Sequence, residues 1–155
     1  MNNDLFNIPG DCEIATARVL AASRQIVFRA WTDAAILKEW WGPAGFTNTF
    51  EEFNPVEGGK WKFMMHGPEK GNYPNECVFL KVEAPSLIVW DRISQPHFRV
   101  VTTFEEAGEG RTCLTFRMQF NSKEECDKVR KFAPSKNEEN FDKLENELKK
   151  MTEKV

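Results

Sequence analysis

The sequence predicts an α+β domain in which an antiparallel sheet packs against a C-terminal helix, and three observations carry that prediction. From Phe46 to Phe120 apolar and polar residues alternate with period two, and turn residues interrupt the alternation at short intervals, as in a meander of strands. Near the C-terminus Phe141, Leu144, Leu148 and Met151 recur at helical spacing, with Lys and Glu on the other faces. Between the first strand pattern and the meander lie two short helical patterns rather than one long one.

The elements follow in order. Residues 12–20 read as a first strand, after which Ser23 caps a helix through Trp31 and Asp33 caps a second short helix. Ile36, Leu37, Trp40 and Trp41 follow helical spacing in the second, and Gly42-Pro43 ends it because neither residue continues a helix. Six strands come next: Phe46 to Phe53, Lys60 to His66, Asn75 to Val82, Leu87 to Ile93, Phe98 to Glu105 and Thr112 to Phe120. Residues 54–59 and 107–110, rich in Gly, Asn and Pro, supply chain reversals. Trp61, Phe63 and Met65 share one parity, as do Phe98, Val100 and Phe104, and Leu114, Phe116, Met118 and Phe120, so each set is expected to face inward. In Val78 to Leu80 and Leu87 to Trp90 both parities are apolar, which leaves the orientation of strands 75–82 and 87–93 open. Ser122 opens a helix carrying Val129 and Phe132 up to a break at Pro134, and a last helix spans Asn137 to Met151. That amphipathic helix needs an apolar partner, and the inward face of the sheet is the only large one available. Lys143 to Lys150 alternates acids and bases and reads as a solvated face.

Length and composition narrow the function classes. At 155 residues the chain reads as one domain, able to bury roughly 70% of the surface its unfolded form exposes. The expected division is an extension over 1–11, the domain over 12–151 and a tail over 152–155. A formal charge of -3 with interleaved acids and bases argues against nucleic-acid binding. No signal-peptide pattern and no bilayer-length apolar run are present, so the expectation is a cytoplasmic protein without a membrane partner. Cys12, Cys77, Cys113 and Cys126 are widely spaced and without His at ligand spacing, so no metal site is expected. Cys77 and Cys113 fall in apolar strand patterns and read as buried, inert thiols. With 13 Phe and 5 Trp against 1 Tyr, the interior is bulky and apolar.

The element order, with Ala30-Trp31-Thr32-Asp33, Trp40-Trp41-Gly42-Pro43, Gly58-Gly59-Lys60-Trp61, Met65-His66-Gly67-Pro68, Gly71-Asn72-Tyr73-Pro74-Asn75 and the Ala84-Pro85 turn, resembles the SRPBCC superfamily. Within that START-like, helix-grip group it is similar to the branch of calicheamicin-resistance-like proteins and activators of the heat-shock-protein-90 ATPase. The likeness runs from about Ile14 to Leu148. It implies a curved sheet wrapped around the long C-terminal helix, with a cavity between them that holds apolar ligands. Phe141 stands where many relatives carry Trp, which reshapes the cavity wall. The eukaryotic activators have a separate N-terminal chaperone-docking domain, and at 155 residues none is expected in this chain.

Two accounts of the aromatic residues compete: they fill the core, or they line a cavity, typically of ~300–1,000 Å3. The cavity account assigns ligand contact to Trp41, Trp61, Phe63, Met65, His66, Tyr73, Asn75, Trp90, Phe98, Phe116 and Phe141. His66, Tyr73 and Asn75 are its orienting groups, on the strand end and loop expected to close the mouth beside Trp41; alternatively they only hold their own turn. Asp91 and Arg92 interrupt an apolar strand, so one is expected to face the cavity and the other solvent, with a surface ion pair as the plainer reading. The chain has no G-x-S-x-G, P-loop or dinucleotide fingerprint, and no catalytic residue or cofactor is assigned. The expected function is non-catalytic binding of a small apolar molecule, by a monomer or homodimer. A second reading is an interaction module modulating a chaperone ATPase, and a third is a cyclase- or hydrolase-type enzyme using Asp91, His66 or Tyr73.

Overall fold

The computed structural model describes residues 12–69 and 71–153, so the expected N-terminal extension lies outside the described residues. Strand β1 (Glu13–Leu20) is followed by helices α1 (Arg24–Thr32) and α2 (Ala34–Trp40). Six strands follow, β2 (Thr47–Phe53), β3 (Lys60–His66), β4 (Asn72–Glu83), β5 (Leu87–Arg92), β6 (Phe98–Glu106) and β7 (Thr112–Gln119). Helices α3 (Lys123–Arg130) and α4 (Ala133–Glu153) complete the chain. The strands form one antiparallel sheet in the order β1-β7-β6-β5-β4-β3-β2, and α1, α2 and α4 pack together over its inner face.

Local chemistry sets the helix starts. The Ser23 hydroxyl accepts from the Ile26 amide, Asp33 Oδ1 accepts from the Ala35 amide at 3.0 Å, and Ser122 Oγ accepts from the Glu125 amide at 3.2 Å, each satisfying a donor that has no intrahelical partner. Trp40 Nε1 donates to the Ala30 carbonyl at 3.0 Å, tying α2 to α1. All five tryptophans join one aromatic network: Trp31 meets Trp40 at 4.9 Å between centroids and Trp90 at 5.9 Å, while Trp41 meets Trp31 at 5.8 Å and Trp61 at 5.2 Å.

The structure differs from the sequence reading at several places. Pro134 does not separate two helices; it lies in the first turn of α4, where its missing N–H has no intrahelical acceptor to lose. The chain turns instead at 131–132, and Phe132 is exposed rather than packed. β4 starts at Asn72 and carries Pro74, because β5 first pairs with β4 at Cys77 and Pro74 faces a neighbouring strand on one side only. Between Phe79 and Lys81 the register shifts, leaving Leu80 as an extra residue. That shift resolves the open strands: Cys77, Phe79, Ile88 and Trp90 join the main core, while Leu80 and Leu87 pack on a small second cluster with buried Val89 and Val101. Cys113 alternates with the inward Leu114 and is only half-buried, whereas Cys77 is buried. Lys143 belongs to no solvated face, since its ammonium donates to the Phe46 carbonyl at 3.1 Å and reaches that of Pro43 at 3.4 Å, and burial lowers its pKa.

Arg18 on β1 fastens α4 to the sheet edge, reaching Glu138 at 2.6 Å and Asp142 and Glu145 at 2.8 Å. Among the described residues, no helix is long and apolar enough to cross a membrane.

Candidate functional site

Between the inner face of the sheet and the N-terminal half of α4 the aromatic packing stops short and leaves a cavity of about 170 Å3. Trp41, Phe63, Met65, Trp90, Phe98 and Phe116 are among the apolar residues of its wall. The volume is below the usual ~300–1,000 Å3 of drug-sized sites and close to the ~150 Å3 void that holds a benzene molecule. Beside the cavity the interior is filled by Trp31, Trp40, Trp61, Phe79 and Phe104, all almost fully buried.

The helix and the loop after α2 clasp each other at one side of this cavity. The Gly42 amide donates to Asn140 Oδ1 and the Ala44 amide to Glu139 Oε1, both at 3.1 Å, with Lys143 bound to the same loop. Gly42 has φ of 101°, and a Cβ there would lie 2.9 Å from Met65 Cε and 3.2 Å from Phe46 Cβ. Only glycine takes that backbone and leaves that space. Asn48 Nδ2 donates to the Trp41 carbonyl at 2.8 Å and holds the start of the loop.

At the sheet side the polar groups are Asn75 and Arg92, on adjacent strands. Arg92 Nε and Nη2 donate to Asn75 Oδ1 at 3.1 and 2.7 Å, and Nη1 donates to the carbonyls of Ser94 and Pro96 at 3.0 and 2.9 Å. The Asn75 amide nitrogen donates to the Tyr73 carbonyl at 2.8 Å, so the residue is spanned from both ends. Burial lowers the Arg92 pKa, while the Cys77 thiol, also in the wall, is pushed up to about 12 by burial, opposed by the Arg92 charge. Such a thiol is an inert surface near neutrality.

Of the residues singled out in the sequence, Trp41, Phe63, Met65, Asn75, Trp90, Phe98 and Phe116 come together in the wall, and Trp61, His66, Tyr73 and Phe141 do not. His66 shares the outward parity of Lys62 and is held by Thr49 Oγ1 at 2.8 Å and Asn72 Oδ1 at 2.7 Å. Tyr73 is half exposed against Phe46. Trp61 and Phe141 lie one layer back, stacked on Phe63 at 4.4 Å and edge-on to Phe116 at 5.9 Å. Asp91 turns outward to Arg99 at 2.8 Å, so the ion pair on this strand is Asp91–Arg99 and not Asp91–Arg92.

Asn137 and Asn140 were missed as wall residues, Arg92 was left open between cavity and solvent, and each had a signal. Arg92 has the parity of Trp90, and Asn137 and Asn140 precede Phe141 and Leu144 on one helical stripe. A wider surface groove of about 630 Å3 between α1 and α4, lined by Ile26, Ile36 and Met151 among charged residues, has no comparable set of buried polar groups.

Residues 21–152 match the family model described as "Activator of Hsp90 ATPase homolog 1-like protein". Among solved structures, a protein from Nitrosomonas europaea is similar at 21% identity and TM-score 0.85, covering 94% of this chain and 99% of that one. A protein from Rhodobacter sphaeroides is similar at 24% identity and TM-score 0.82, covering 90% and 95%, and one from Arthrobacter aurescens at 22% and 0.83, covering 90% and 87%. These likenesses show the fold. No curated protein gives a significant match.

Proposed function

From the premise that the chain belongs to the family of Activator of Hsp90 ATPase homolog 1-like proteins, we propose that it binds a small apolar molecule in the cavity between sheet and α4, without catalysis. The observation that carries this reading is the 170 Å3 void itself, kept open in an interior otherwise closed by tryptophan. An apolar hole with a few fixed polar groups at one end has the make-up of a ligand site. The size admits one aromatic ring with short substituents.

What favours binding over chemistry is the character of the wall. Its ionisable groups are Arg92, Lys136 and Cys77. Burial holds the Cys77 thiol in its protonated form near neutrality, and the wall carries no carboxylate or imidazole to act as a base. Asp91, His66 and Tyr73, the candidates for acid–base work, are engaged outside the wall.

The test is a titration with toluene. Saturable binding should raise the unfolding temperature, by an amount equivalent to about 2.7 kcal/mol at a hundredfold excess over Kd, and shift the indole NMR signals of Trp41 and Trp90. A folded protein whose melting and indole signals ignore saturating toluene would refute the proposal. The family's description supplies the second reading, a module acting on a chaperone ATPase, which stimulation of a purified chaperone's ATP hydrolysis would support.

A further inference from the structure

The cavity wall holds two basic residues, Arg92 and Lys136, and no acidic one, in a chain whose formal charge is -3. Elsewhere the arginines of the sheet meet carboxylates: Arg18 meets three, Arg99 meets Asp91 and Arg117 meets Glu13. Among the described residues Arg92 instead meets only neutral acceptors, the Asn75 side chain and the Ser94 and Pro96 carbonyls, with the Phe98 ring 5.8 Å from its guanidinium carbon. Those bonds use Nε–H, both protons of Nη1 and one of Nη2, which leaves one of the five guanidinium protons uncommitted. Carbonyl dipoles solvate the charge without neutralising it, and a half-buried cation in such a place favours an anion beside it.

The α4 side of the cavity agrees in sign. Asn140 is buried and uses its Oδ1 on the Gly42 amide, and its Nδ2 donates to no group among the described residues. Lys136 and Asn137 lie in the first turns of this 21-residue helix, at the positive end of its dipole, and Lys136 also stands 3.9 Å from Glu139 Oε1.

Resting on the cavity reading above, we propose that the occupant is a small carboxylate with a single-ring or similarly compact apolar body, its carboxylate set against the free Nη2 proton of Arg92. The body fills the space between Trp41, Trp90, Phe98 and Phe116. A carboxylate matches one charge-assisted bond plus neutral amide donors; a phosphate dianion calls for more donors than this wall presents.

The experiment compares benzoate, its neutral counterpart benzamide, and toluene on the intact protein, reading affinity from the indole NMR signals of Trp41 and Trp90. Benzoate should bind about tenfold more tightly than benzamide, and Arg92→Met should abolish that preference. If Arg92 only braces the 94–96 turn, Arg92→Met lowers the unfolding temperature and the preference persists. That result overturns the assignment, as does equal binding of benzoate and benzamide by the unmodified protein. Lys136→Glu, at an exposed position, is a second variant that should cut the preference about threefold. Toluene binding without any benzoate preference refutes the anion and spares the cavity, whereas binding of none of the three refutes both.

Discussion

Phe116→Ala probes the wall and the core together. The ring is 4% exposed on β7, with centroids of Phe141, Trp31, Trp41 and Trp90 at 5.9, 6.0, 6.3 and 6.4 Å. Truncation loses the transfer energy of a buried phenyl, about 1.5–3 kcal/mol. The void it leaves, on the order of 100 Å3, adds about 2 kcal/mol at ~24 cal/mol per Å3. The expected cost is therefore about 4–5 kcal/mol, from a domain stability of ~5–15 kcal/mol. With Tm moving ~2–4 °C per kcal/mol at this size, the variant melts about 10–20 °C lower but still folds in the cold. The void joins the existing 170 Å3 cavity and brings it near ~300 Å3, the lower edge of two-ring sites. A naphthalene-type fluorophore should then bind the variant and not the parent protein. Urea unfolding followed by circular dichroism measures the first quantity and fluorescence titration the second. A cost under about 1 kcal/mol, or equal fluorophore binding by both proteins, would refute the placement of Phe116 between cavity and helix.

Three further outcomes are expected. Leu144, fully buried on α4, should not tolerate Asp: an unpaired carboxylate in the helix–sheet seam costs more than ~4 kcal/mol, so Leu144→Asp should show no cooperative melting, and an unchanged Tm would make α4 peripheral. Cys77 keeps its proton up to about 12 in the folded chain against an ordinary 9.0, so the folded state binds more protons than the unfolded one between those values. Its contribution is complete below pH 9 and falls by roughly 1.4 kcal/mol per unit above it, so urea unfolding should show the stability difference from Cys77→Ala changing above pH 9 and constant below. His66→Ala removes bonds to Thr49 and Asn72 on the outward face, and should cost about 1 kcal/mol while leaving toluene affinity unchanged; a large loss of affinity would put His66 back at the mouth.

Much of the site was legible wherever one parity of a strand is apolar and the other polar. Trp61, Phe63 and Met65 against Lys60 and Lys62 fixed the inner face of β3, and the same rule sends His66 outward. Legibility failed on β4 and β5, where both faces bury apolar groups and the extra residue Leu80 reverses the alternation within one strand. Trp90 and Arg92 were undecided there for the same reason.

The sequence by itself determined the order of elements, the capped starts of α1, α2 and α3 and the inward parity of three strands, because these depend on residues within one or two turns of each other. Tertiary structure alone decided which aromatics fill and which line. Trp61 and Phe141 are as apolar as Trp41 and Phe116 and share their inward faces, yet lie a layer behind, since depth is set by the curvature of the sheet and the seat of α4 upon it. It also decided that, among the described residues, Arg92 stands without a carboxylate. Asp91, next to it in sequence, points to the opposite face of the strand, where Arg99 of β6 pairs with it, because successive residues of a strand face opposite ways.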